Sequence, residues 1–135
     1  MRPPVMITTT TKIRVFDCHI DGNQHVNQAR YFEFLQSARL DFWLAHGKEW
    51  FDERKIGCWV AEYAEVKFKR QCVLGDELDI ECSWHNLDNG EAWVAQTIKR
   101  AGKPAVTALC KLVFVNTETG RPAKLEGELL EKLRG

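Results

Sequence analysis

The sequence predicts an α+β fold in which one five-stranded antiparallel sheet surrounds a single long helix, and three observations lead there. An unbroken helical rhythm runs over residues 28–46, strand-like segments take over after Gly57, and two tight-turn signals divide those segments. Together they describe one domain over residues 1–135, with 44% hydrophobic and 28% charged residues, as in an ordinary soluble chain.

A first strand is expected over about residues 9–17. In the helix, Tyr31, Phe34, Leu35, Ala38 and Phe42 recur at i, i+3, i+4 and i+7, with neither Gly nor Pro from Asn23 to His46. Asn27 is the expected N-cap and Gly47 the left-handed stop. Phe32, Leu40, Trp43 and Leu44 form a second apolar stripe, so the helix is expected to be covered on more than one side. Residues 48–55 suggest a short extra helical turn. In ELDIECSW, Leu78, Ile80, Cys82 and Trp84 alternate with Glu77, Asp79, Glu81 and Ser83, the period of a strand with one buried face. Asp88-Asn89-Gly90 and Ala101-Gly102-Lys103-Pro104 mark reversals between antiparallel neighbours. The tail LEGELLEKL reads as a short amphipathic helix, with Gly127 costing about 1 kcal/mol relative to alanine.

Charge and composition exclude several functions. Lys plus Arg equals Asp plus Glu at 19 each, so no global positive field favours nucleic acid or an anionic membrane. No run of about 18 apolar residues exists, and MRPPVMITTTTKIR lacks an apolar leader core, which predicts a cytoplasmic protein. Cys18, Cys58, Cys72, Cys82 and Cys110 show no C-x-x-C spacing, and four of them sit in apolar strand-like runs as reduced thiols would. A sheet around one helix leaves an apolar edge in so small a chain, so dimerisation is expected.

The chemistry gathers in FDCHIDGNQHVNQARYF. Asp21 lies four residues before His25 and six before Asn27, on the approach to the helix N-terminus. The first backbone N–H groups of a helix lack internal partners and carry the positive end of its dipole, so they can hold an oxyanion. A nearby carboxylate supplies a base or a nucleophile, and acyl transfer to water is the natural reading. The same residues also read as a turn at Asp21-Gly22-Asn23, with Gly22 taking positive φ, followed by a cap at Asn27. Cys18, His19 and His25 lack the spacing of a structural metal site.

The pattern Asp21, His25-Val26-Asn27, Ala29-Arg30-Tyr31 and Glu33-Phe34-Leu35 resembles the hotdog-fold acyl-CoA thioesterases of the 4-hydroxybenzoyl-CoA thioesterase superfamily, most of all their bacterial long-chain type. The resemblance resumes at VKFKRQCVLGDEL and LEGELLEKL. It implies a long helix wrapped by a five-stranded sheet, a homodimer or homotetramer with interface active sites, an acyl-CoA substrate, and neither metal nor cofactor. It further implies Asp21 as general base or nucleophile, with the helix start near His25 to Asn27 holding the carbonyl. This chain departs from many relatives in having His19 where they carry a first aspartate, and Gln71 where a proline is common.

On this basis the catalytic candidates are Asp21, His25 and Asn27, and the substrate-binding candidates are Tyr31, Phe34, Lys69 and Arg70. Tyr31 shares the face of Asn27, whereas Glu33 is positioned to pair with Arg30. Phe32, Phe34, Leu35, Trp59 and Phe68 are available to line an acyl tunnel, and Lys67, Lys69 and Arg70 to meet CoA phosphates. A solvated strand face explains the same basic residues. The rival function is a hotdog module that binds acyl-CoA or an acyl carrier without turnover. A hydratase fits less well, because Asp21-Gly22-Asn23-Gln24-His25 lacks the proline of that signature.

Overall fold

The computed structural model describes residues 7–135, so the first six residues of the N-terminal stretch MRPPVMITTTTKIR, read above as lacking a leader core, lie outside the described residues. The order is β1 (Thr8–Arg14), a 3-10 turn (Asp17–His19), α1 (Gln28–Ala45), α2 (Lys48–Glu53), β2 (Ile56–Phe68), β3 (Glu77–Asn86), β4 (Ala92–Arg100), β5 (Lys103–Asn116) and α3 (Gly127–Arg134). The five strands form one sheet in the order β1-β3-β4-β5-β2, every neighbouring pair antiparallel.

Local chemistry explains where elements stop. Asn27 caps α1 through its side-chain oxygen, and Gly47 turns the chain out at φ 84°. Both hairpins place two consecutive residues at positive φ, Asn89 (56°) with Gly90 (74°) and Ala101 (50°) with Gly102 (76°), which matches the twist of the flanking strands. β1 ends earlier than the sequence suggests. After Val15 donates to the Asp76 carbonyl, the chain tightens into the 3-10 turn, closed by His19 Nδ1 accepting the Phe16 N–H at 2.9 Å. Gly127 opens α3 at φ 58°, so the interior-glycine penalty expected for that helix does not arise.

The concave face of the sheet holds α1, which packs chiefly on β1 and β3. Leu35, Ala38, Phe42, Leu78, Ile80, Val94 and Ile98 are nearly or fully buried between them. Each large apolar side chain so buried contributes roughly 1.5–3 kcal/mol. Polar links also cross this core: Gln96 of β4 donates to the Leu35 carbonyl of α1 at 2.9 Å, and Trp84 of β3 donates to His46 at the end of α1. Alternation in β3 is as the sequence indicates, with Leu78, Ile80, Cys82 and Trp84 buried.

β2 lies at a sheet edge beside α1, with register shifts after Val60 and after Ala64 and with Glu65 at φ 51°. Such bulges bend a strand and re-aim the residues beyond them, here Phe68 and the loop after it. Cys72 belongs to that loop rather than to a strand, yet is fully buried; Cys82 and Cys110 are buried in strands, Cys58 is half-buried and Cys18 is exposed.

Candidate active site

The loop before α1 is folded back on itself. Ile20 and Val26 form an antiparallel bridge, Asp21 donates its N–H to the His25 carbonyl at 3.0 Å, and Asn27 donates to the His19 carbonyl at 2.8 Å. Within this lariat Asp21 Oδ1 accepts the Asn23 N–H at 2.9 Å, an Asx turn that fixes the carboxylate. The positive φ falls on Gln24 (65°) and not on Gly22, where an added Cβ would meet nothing within 4 Å. Gly22 is therefore not required by the turn, contrary to the reading from sequence.

Two segments distant in sequence meet here. The loop after β2 crosses the start of α1, with Val26 donating to the Cys72 carbonyl at 2.9 Å and the Tyr31 hydroxyl accepting the Cys72 N–H at 3.1 Å. The result is a cavity of about 420 Å³ lined by Asp21 and His25 from the loop, Gln28 and Tyr31 from α1, and Phe68, Lys69, Arg70 and Gln71 from the second segment. Asp21 and His25 are half-buried, whereas Lys69 and Arg70 are exposed at the rim. Burial pushes the Tyr31 hydroxyl up to about 12, so it stays protonated and neutral.

The sequence candidates fall into three positions. Asp21, His25, Tyr31, Lys69 and Arg70 share the cavity. The Asn27 side chain accepts the Ala29 N–H at 2.9 Å, and its carbonyl accepts the Arg30 N–H at 2.8 Å. Phe34 is buried behind the cavity, edge-on to His19 and Tyr31 with ring centroids at 4.8 and 6.2 Å. Glu33 pairs with Arg30 at 2.7 Å, as its spacing suggests.

The sequence points to the helix-start N–H groups without naming the residue, and that residue is Gln28. With Asn27 and its neighbours engaged, the Gln28 backbone N–H finds no acceptor among the described residues. Its place one residue past the cap is the signal that could have found it, because an N1 amide is always without an intrahelical partner. The site therefore presents a fixed carboxylate, a free helix-start N–H and two rim cations. Among the described residues, no three His, Cys, Asp or Glu side chains group as a metal site, and no helix is long and apolar enough to cross a membrane.

A second, larger cleft of about 830 Å³ lies between α1 and β2, lined by Phe32, Leu40 and Trp43 on the helix and by Cys58, Trp59, Val60 and Tyr63 on the strand. The two spaces adjoin at an aromatic contact, Phe32 to Phe68 at 6.5 Å. Leu35, a tunnel candidate from the sequence, is instead fully buried core.

A five-stranded sheet wrapped on one long helix is the hotdog fold, and residues 16–133 match the thioesterase-like superfamily, to which this chain belongs, so the protein is a thioester hydrolase of that family. It is 34% identical over 126 residues to the long-chain acyl-CoA thioesterase FadM of Escherichia coli strain K12, covering 91% of this chain and 95% of that one. Among solved structures, the probable thioesterase YbaW from Escherichia coli superposes with a TM-score of 0.80 at 31% identity, covering 93% of this chain and 98% of the other. A probable thioesterase from Bartonella henselae superposes with a TM-score of 0.73 at 26% identity, covering 88% and 98%.

Proposed function

We propose that the protein hydrolyses medium- to long-chain acyl-CoA thioesters to the free acid and CoA in the cavity at the start of α1. The observation that carries this reading is that Asp21 and Gln28, whose N–H has no partner among the described residues, line one cavity rimmed by Lys69 and Arg70. Water attacks the thioester carbonyl carbon and passes a proton to Asp21, while the Gln28 N–H and the helix dipole hold the oxyanion. Collapse of the adduct breaks the C–S bond, and the proton on Asp21 goes to the departing thiolate. Direct attack by Asp21 is the variant in which water enters in a second step.

His25 borders the same cavity and orients the carbonyl or the water. Asn27 acts through its cap, which sets where α1 begins. Lys69 and Arg70 meet CoA phosphates, and the apolar α1–β2 cleft takes the acyl chain, in keeping with the long-chain substrate in the name of the E. coli relative. The free edge of β2, with Trp59 55% exposed, pairs with a second copy in a homodimer, alone or within a tetramer.

The test is thiol release from a panel of acyl-CoAs, comparing the wild type with Asp21→Asn. Asparagine still offers an oxygen to the Asn23 N–H, so the loop keeps its shape while kcat/KM falls at least ~10²-fold. Near-normal turnover in the variant would remove Asp21 from the chemistry. Tight binding with no thiol release from any substrate by the wild type would make this a binding module.

A further inference from the structure

The α1–β2 cleft has apolar walls but a charged floor. Arg39 projects from α1 into it, half-buried, and its Nη1 donates both to the Tyr63 hydroxyl at 2.6 Å and to Gln96 Oε1 at 3.0 Å. Those two bonds use both Nη1 hydrogens. Gln96 is itself fixed, since it is 1% exposed and its Nε2 donates to the Leu35 carbonyl. The guanidinium is thus held in one orientation by neutral oxygens.

Its other edge is unspent. Among the described residues, Nε and Nη2 find no acceptor, and no carboxylate lies within ion-pair distance. The two acids on the cleft wall are engaged elsewhere, Glu33 with Arg30 at 2.7 Å and Asp52 with Lys48 at 2.7 Å. The thiols that feel the Arg39 charge supply no counter-ion, because burial pushes Cys58 and Cys82 up to about 11 and Cys110 upward as well. The Tyr63 hydroxyl is pushed upward by burial too. The half-buried guanidinium, whose carbon lies 5.4 Å from the Tyr63 ring centroid, thus has neutral neighbours but no carboxylate, and the Nε/Nη2 edge of an arginine is the fork that receives a carboxylate through two parallel bonds.

Position turns this into substrate chemistry. Arg39 is eleven residues beyond Gln28 on the same helix, a rise of about 16 Å. That is the reach of a fatty acyl chain lying along α1, past the Phe32–Phe68 contact, with its thioester at Asp21. We propose that the floor of the cleft at Arg39 is a carboxylate subsite, and that Arg39 selects acyl thioesters whose chain ends in a second, ω-carboxylate. The subsite rests on the hydrolase reading of the Asp21 cavity, with the acyl chain in this cleft. Phe32 on α1 and Phe68 at the cavity end hold the methylenes, and Tyr63 and Gln96 hold the guanidinium fork toward the incoming oxygens.

The experiment compares thiol release from a long saturated acyl-CoA with that from its ω-carboxy analogue of equal chain length, using the full chain as wild type, Arg39→Met and Arg39→Lys. The expected result is a wild-type kcat/KM ratio that favours the ω-carboxy substrate and falls at least ~10-fold in Arg39→Met. Arg39→Lys keeps the charge but not the fork and falls between them. A wild-type ratio at or below one, or a ratio that neither substitution moves, overturns the proposal. So does a shift to smaller particles in Arg39→Met with the ratio unchanged, which would assign the free edge to a carboxylate of a second copy. If Arg39→Met does not fold, the wild-type ratio and Arg39→Lys still decide. Should the wild type release thiol from neither substrate, the hydrolase reading fails. Calorimetric affinities for the same two compounds then test the subsite alone, with equal binding counting against it.

Discussion

Trp84 Nε1 donates to His46 Nε2 at 2.9 Å, and His46 Nδ1 lies 2.9 Å from the Phe42 carbonyl, so this buried imidazole is locked neutral between a donor and an acceptor. Burial holds its pKa below the usual histidine value, with Lys132 adding to the effect against the two backbone hydrogen bonds. The depressed folded-state pKa means that the unfolded chain binds the proton first as pH falls. The stability contributed by neutral His46 is therefore fully present above about pH 6.5 and is lost as pH drops toward the folded-state pKa. Denaturant titrations across this window should show stability falling with pH in the wild type and a flatter profile in His46→Gln. Equal slopes would show that another group governs the acid limb.

Asn27→Ala should remove the cap of α1 and cost about 0.5–2 kcal/mol, whereas Asn27→Asp should stay close to the wild type. Urea midpoints check this. If both variants are equally stable, the bond to the Ala29 N–H contributes little.

Tyr31→Phe leaves the N–H of fully buried Cys72 without its acceptor, at a cost of about 1–3 kcal/mol. The loop carrying Lys69 and Arg70 depends on that bond, so KM for acyl-CoA should rise along with the loss in thermal midpoint. Unchanged stability would mean that water replaces the hydroxyl.

Replacing Lys69 and Arg70 together by alanine should raise KM for acyl-CoA more than for an acyl-pantetheine that lacks the nucleotide phosphates, and should weaken the salt dependence of KM. Equal effects on both substrates would move the phosphate contacts away from this rim.

Ala101 occupies the left-handed region at φ 50° in the β4–β5 turn, an arrangement that costs an L-residue with a Cβ about 1–2 kcal/mol. Ala101→Gly should recover part of that strain against the greater flexibility of the unfolded glycine, giving a small rise in unfolding free energy. A fall would show that this turn tolerates alanine without strain.

The sequence by itself determined many of the features written in a local period or a local bond, though not the 3-10 turn closed by His19 on Phe16 or the positive φ at Gln24. The Asn27 cap and Gly47 stop bound α1, the alternation of Leu78, Ile80, Cys82 and Trp84 orients β3, and Asn89-Gly90 closes a hairpin. The Asp21 to Asn27 spacing before a helix was legible for the same reason, since a few residues of chain fix it. Tertiary structure decided the features that depend on distant partners. Nothing in the local pattern separates Phe34, sealed against His19, from Phe32, which faces an open cleft, because both lie on apolar stripes of one helix. Strand order brought β2 beside α1, and its bulges swung Phe68 to Gln71 onto the Asp21 cavity. The same order placed Tyr63 and Gln96 around Arg39. Pairings across 24 and 57 residues arise from how the sheet closes over the helix, which no periodicity along the chain encodes.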